Sequence, residues 1–150
     1  AERVARAMAL GASAGVDYGR EDLRTRLKEV TDGGADVVVD PVGGPCSEPA
    51  LRAVRWGGRF VCVGFAAGEI PRIPLNLVLL KGAVVRGFEL RTIAEHAPAA
   101  VADADATLGR LVACGMRPLV SRTYPLDAAA QALADVAARR TVGKVVIEMG

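Results

Sequence analysis

With 150 residues, 51% apolar and 24% charged, the chain has the composition of an ordinary folded domain and not of a disordered segment. Its 19 basic and 17 acidic side chains leave a formal charge of +2, dispersed along the chain without the clustered basic face of a nucleic-acid binder. No apolar run reaches the ~18 residues of a membrane span. The nearest, residues 73–85, is interrupted by Pro74, Asn76, Lys81 and Gly82, and no basic segment followed by an apolar core marks a signal peptide. Cys46, Cys62 and Cys114 are odd in number and widely spaced, which points to a reducing, cytoplasmic compartment.

Helices and short apolar strands alternate, so the expected fold class is α/β, a parallel sheet with helices on its faces. A helix is expected over residues 2–10, stopped by Gly11, and a short strand over 16–18. Residues 20–31 form the next helix, with Leu23, Leu27 and Val30 on one stripe. The run Asp36-Val37-Val38-Val39-Asp40 lacks polar alternation and reads as a strand buried on both faces. Ser47 is expected to cap a helix reaching Arg55, which Gly57 and Gly58 end. Strands follow at 59–64 and 83–88, then helices at 97–114 and 127–140, with extended segments at 118–124 and 144–149. The three central strands should lie side by side in chain order. Residues 1–115 form one part of the molecule and 116–150 a C-terminal return segment.

Ligands of open parallel sheets bind beyond the carboxyl ends of the strands. Three strand ends here are glycine-bearing: Asp40-Pro41-Val42-Gly43-Gly44, Gly64-Phe65-Ala66-Ala67-Gly68 and Gly87-Phe88-Glu89. Glycine lets backbone approach a flat ligand, and Phe65 and Phe88 could wall it, although simple tight turns would read the same way. His96 is the single histidine and reads as a solvated side chain. With three scattered cysteines it makes no zinc ligand set within these residues. Asp103 and Asp105 point to different sides of their helix, and no nucleophile with a base is visible.

Several blocks in order resemble the quinone-oxidoreductase branch of the zinc-type alcohol dehydrogenase-like, medium-chain dehydrogenase/reductase family. They are Asp17-Tyr18-Gly19-Arg20-Glu21-Asp22-Leu23, residues 34–44, Gly57-Gly58-Arg59-Phe60-Val61-Cys62-Val63-Gly64-Phe65, Ile73-Pro74-Leu75-Asn76, Pro118-Leu119-Val120, Tyr124-Pro125-Leu126 and Gly143-Lys144-Val145-Val146-Ile147. The resemblance covers nearly the whole chain. It implies a partial Rossmann-type parallel sheet lacking its first two strands, and NADPH as cofactor. It places Tyr18 near the adenosine phosphate, Val42 and Gly43 beside a ribose, and Gly64, Phe65 and Ala66 by the nicotinamide ribose. Phe88 matches the loop near the nicotinamide, and Lys144, with Arg140, a basic position near the cofactor. It assigns no catalytic residue and no metal.

The family's phosphate loop, G-x-G-x-x-G between strand and helix, is missing from these residues; the glycines from Gly11 to Gly19 follow a helix instead. By resemblance, residues 1–10 are the helix after a second strand. The chain is therefore expected to be the C-terminal part of a longer protein whose N-terminal substrate domain precedes Ala1. The implied activity is hydride transfer from NADPH to a quinone or activated enone, with enoyl reduction and zinc-type alcohol oxidation as enzymatic alternatives. A catalytically inert fragment with only a folding or dimerisation role is the alternative from another class. The apolar edge and the resemblance together imply a homodimer joined at the 83–88 strand, while the dispersed charge and short apolar runs predict no nucleic-acid or membrane partner.

Overall fold

The computed structural model describes residues 2–150; the expectation attached to Ala1 lies outside them. Contacts gather into two compact units, Arg3–Ala100 and Val101–Gly150, and each is described by itself.

The first unit opens with α1 (Glu2–Ala9), then α2 (Leu23–Val30), whose N-cap Asp22 accepts from the Thr25 N–H at 2.8 Å and the Thr25 hydroxyl at 2.6 Å. The strand expected at 16–18 does not form. The Asp17 N–H donates to the Glu21 carboxylate at 2.8 Å and the Asp17 carbonyl accepts from Arg20 and Glu21, closing a local turn. That turn also delays α2 past its expected start at Arg20.

Strands β1 (Ala35–Asp40), β2 (Val54–Cys62) and β3 (Val84–Gly87) are parallel and adjacent in chain order, as expected. They are joined by α3 (Ser47–Ala53) and α4 (Leu75–Lys81), so the unit is a β-α-β-α-β run. Leu51 of α3 and Leu77 of α4 bury with Val54, Phe60 and Ala83, and Val38 packs against the same cluster. Both helices therefore cover one sheet face.

The opposite face corrects the expectation of a strand buried on both sides. Val37 and Val39 are 42% and 62% exposed, and Val84, aligned with Val37 through Arg59, is 53% exposed. An unalternating apolar run could not reveal this, because burial of the second face depends on what packs there. Glycines 57 and 58 do not stop a helix either. The β2 strand starts at Val54, opposite Ala35, and the register then jumps to Val37 opposite Arg59. A Cβ on Gly58 would sit 2.9 Å from the Asp36 carbonyl oxygen, so glycine lets the strands close up beyond the irregularity.

After β3 comes α5 (Leu90–His96), which the pattern did not announce. The Glu89 carboxylate starts it by accepting from the N–H groups of Arg91 and Thr92 at 3.1 and 2.7 Å. His96 closes it, with Nδ1 2.9 Å from the Thr92 carbonyl oxygen. Helix α6 (Pro98–Ala113) carries the chain into the second unit.

There β4 (Val120–Pro125) and β5 (Lys144–Glu148) pair in parallel, linked through α7 (Ala129–Ala137). Asp135 of α7 is buried and joins the pieces: its carboxylate accepts from the Tyr124 hydroxyl, Arg140, Gln131 at 2.9 Å and Arg122 at 3.2 Å. The Tyr124 hydroxyl first, then Arg140, hold its pKa down from 3.8 to about 2. A carboxyl lowered on folding stabilises the fold above its unfolded value and loses that contribution as pH falls through its folded value. Stability should therefore decline as pH drops from 3.8 towards 2, and Asp135→Asn should flatten that decline. Circular dichroism against pH checks this; an unchanged acid profile in the variant would refute the assignment.

Candidate functional site

The carboxyl ends of the three strands open into loops tied to one another by backbone. The Asp40 carbonyl accepts from the Val63 N–H at 2.9 Å, Pro41 from Ala66 at 3.1 Å, Val42 from Ala67 at 2.8 Å and Glu69 from Gly44 at 3.0 Å. On the other side, the Phe88 N–H donates to the Cys62 carbonyl at 2.8 Å.

Asp40 fixes the turn after β1. Its carboxylate accepts from the N–H groups of Val42 and Gly43, both at 2.9 Å, and from the Ser47 hydroxyl at 2.6 Å. Ser47 is thus a buried partner of Asp40 inside the first turn of α3, not the cap expected for that helix. Burial alone would push the Asp40 carboxyl up, but the Ser47 hydroxyl and the two N–H groups hold it below its ordinary range. Gly43 sits at φ +70° and ψ −155°, where a Cβ would meet the Phe65 ring at 2.8 Å.

Two cavities open on these loops. One, of 460 Å³, has Cys62, Gly64, Phe65, Phe88, Thr92 and Ile93 among its walls, with Glu89 at its polar side. The other, of 210 Å³, is lined by Tyr18, Leu23, Val39, Asp40, Pro41 and Val42. The structure therefore brings Gly64, Phe65 and Phe88 together, and Tyr18 with Val42. Gly43 lies against Phe65, and Ala66 serves the loop through its backbone. Lys144 starts β5 in the second unit, where its N–H donates to the Leu119 carbonyl at 2.7 Å. Arg140 is engaged by Asp135.

In the sequence Asp40 reads only as a strand end and Glu89 only as part of a turn. The available signal was a carboxylate at a strand's carboxyl end, just before free N–H groups that need an acceptor.

The larger cavity suits a flat, mostly apolar ring held between Phe65 and Phe88. Neither cavity wall carries a lysine or arginine, so the pyrophosphate of a dinucleotide finds no basic side chain there. Among the described residues no group of three or more His, Cys, Asp or Glu side chains could hold a metal ion, so the donor set does not fit zinc.

Three parallel strands joined through helices, with a crevice at their carboxyl ends, define a partial Rossmann-type unit of the dinucleotide-binding class. The chain belongs to the zinc-binding dehydrogenase family, whose model matches residues 10–147. It is 37% identical over 145 residues to a quinone oxidoreductase-like protein 2 homolog of Nematostella vectensis, covering 92% of this chain and 39% of that protein. It is 33% identical over 150 residues to quinone oxidoreductase-like protein 2 of Bos taurus, covering 99% and 43% respectively. Among solved structures, it is similar to Escherichia coli quinone oxidoreductase complexed with NADPH, with a TM-score of 0.84 and 27% identity over 99% of this chain and 47% of that one. The quinone oxidoreductase of Pseudomonas syringae pv. Tomato DC3000 matches with a TM-score of 0.80 and 31% identity over 98% and 46%. The chain spans less than half the length of these curated relatives. The relatives are named as quinone oxidoreductases or quinone oxidoreductase-like proteins, and the Escherichia coli structure holds NADPH. No helix among the described residues is long and apolar enough to cross a membrane.

Proposed function

We propose that these residues form the C-terminal part of an oxidoreductase that moves hydride from NADPH to a quinone or an activated enone. The observation that carries the reading is the apolar crevice between Phe65 and Phe88 at the strand ends, in a chain of this family. NADPH, when bound, supplies the hydride. Phe65 and Phe88 flank its flat ring and exclude water, while Gly64 and Ala66 let the backbone come close. Tyr18, Val42 and Gly43 line the adenosine side, with Asp40 holding their turn. A conjugated acceptor takes hydride directly, so stacking and dry surroundings matter more than acid–base groups. Residues 1–115 serve cofactor binding and 116–150 return towards a substrate domain. The unpaired thiols of Cys46, Cys62 and Cys114 support a cytoplasmic setting.

The test is NADPH oxidation by the complete protein with a simple benzoquinone, a vinyl ketone or an enoyl thioester as acceptor. Turnover with quinone or ketone is expected, and Phe88→Ala should raise the KM for NADPH roughly tenfold by removing one stacking wall. Turnover with the thioester alone, or indifference to Phe88→Ala, would overturn the reading.

We further propose a homodimer paired antiparallel along β3. All four β3 residues are exposed, β3 ends the sheet order, and Leu75, Leu79 and Leu80 nearby are 79%, 80% and 72% exposed. Light scattering at micromolar concentration should give twice the chain mass. A monomer there counts against the interface.

A further inference from the structure

A cavity of 800 Å³ opens in the first unit between the start of α2, the start of α3 and the segment 69–72. Its volume falls within the ~300–1,000 Å³ typical of small-molecule sites. The Gly44 N–H bond to the Glu69 carbonyl, at 3.0 Å, ties two of its walls together. Three arginines and three carboxylates line it, so it is formally neutral, but those charges are unequally available. Asp22 is engaged by Thr25, and Glu48 by Arg52 at 2.9 and 2.6 Å. Arg24, Arg72 and Glu69 remain. None of their side chains makes a hydrogen bond or ion pair among the described residues, although the Arg24 charge is felt by the Asp22 carboxylate.

We propose that this cavity binds a small hydroxyl-bearing phosphate monoester, of the sugar-phosphate class. Two guanidinium groups on separate segments can each offer paired N–H donors to a phosphate dianion. The Glu69 carboxylate, an acceptor without a donor, takes a hydroxyl of the same ligand. Pro45, Pro49 and Pro71 have fixed φ and present C–H surface to a sugar ring at little entropic cost. Inorganic phosphate meets the same two arginines but brings no carbon-bound hydroxyls for Glu69 and no ring for the prolines, so it binds more weakly than the ester. The ligand must bring its phosphate to the arginines and its hydroxyls to Glu69 together. The cavity shares no lining residue with the two crevice cavities, so the proposal is independent of hydride transfer.

Calorimetry on the protein with ribose phosphate, ribose and inorganic phosphate as separate titrants tests it. Ribose phosphate should bind with a Kd below about a millimolar, and ribose or phosphate alone about tenfold more weakly or worse. Arg24→Ala with Arg72→Ala, both exposed positions, should abolish binding, and Glu69→Gln should weaken the ester about tenfold. Phe88→Ala in the crevice should leave it unchanged. No heat with ribose phosphate, inorganic phosphate binding as tightly as the ester, or loss of ester binding in Phe88→Ala would each overturn the proposal.

Discussion

Titrated into a chain of these 150 residues by itself, NADPH binds at millimolar strength or not at all, and no quinone is reduced. Pyrophosphate is normally gripped by N–H groups of a glycine-rich turn at the positive end of a helix. Here Gly11 follows α1, and residues 17–21 close a turn on the Glu21 carboxylate, so no strand feeds a phosphate-binding turn. The crevice walls remain, but they offer stacking without a basic side chain. Two missing charge-assisted bonds at ~1.5–3 kcal/mol each weaken binding by roughly a hundredfold to ten-thousandfold. Fusing a relative's first strand, glycine-rich turn, helix and second strand ahead of residue 2 should bring the Kd back to micromolar. Calorimetry decides. Micromolar binding by the 150 residues alone would show that another part of the chain grips the phosphates.

Gly43→Val is expected to lose about 3 kcal/mol of stability and, in the complete protein, most of the affinity for NADPH. At φ +70° and ψ −155° the backbone occupies a region that is essentially glycine's own, costing other residues ~1–3 kcal/mol. The new Cβ would also lie 2.8 Å from the Phe65 ring and 3.1 Å from the Glu69 carbonyl oxygen. Phe65 can swing away only by leaving the crevice wall, so strain and lost stacking arrive together. Gly68→Val is the control, because it too has positive φ, +83°, but open space around its Cβ. It should cost stability with little change in NADPH affinity. Equal affinity losses in the two variants would remove Gly43 from the crevice.

What the sequence determined by itself was the set of elements whose signals are local. The β-branched run ending at Asp40, the apolar stretches at 59–64 and 83–88, and the glycines following each strand place three parallel strands with open carboxyl ends. Phe65 and Phe88 were legible for the same reason, since each follows a strand end directly. Tertiary structure decided the rest. Whether Val37 and Val39 are covered depends on a second packed layer, which a strand's own residues do not encode. Whether Val16 joins a sheet depends on a neighbouring strand with free N–H and carbonyl groups; without one, the Asp17 N–H turns to Glu21. The shift of Ser47 from cap to Asp40 partner, and the capture of Arg140 by Asp135, likewise follow from side chains that meet only after the chain folds. Buried carboxylates must find donors wherever packing leaves them, and the turns and helices that bring those donors alongside exist only once the chain has folded.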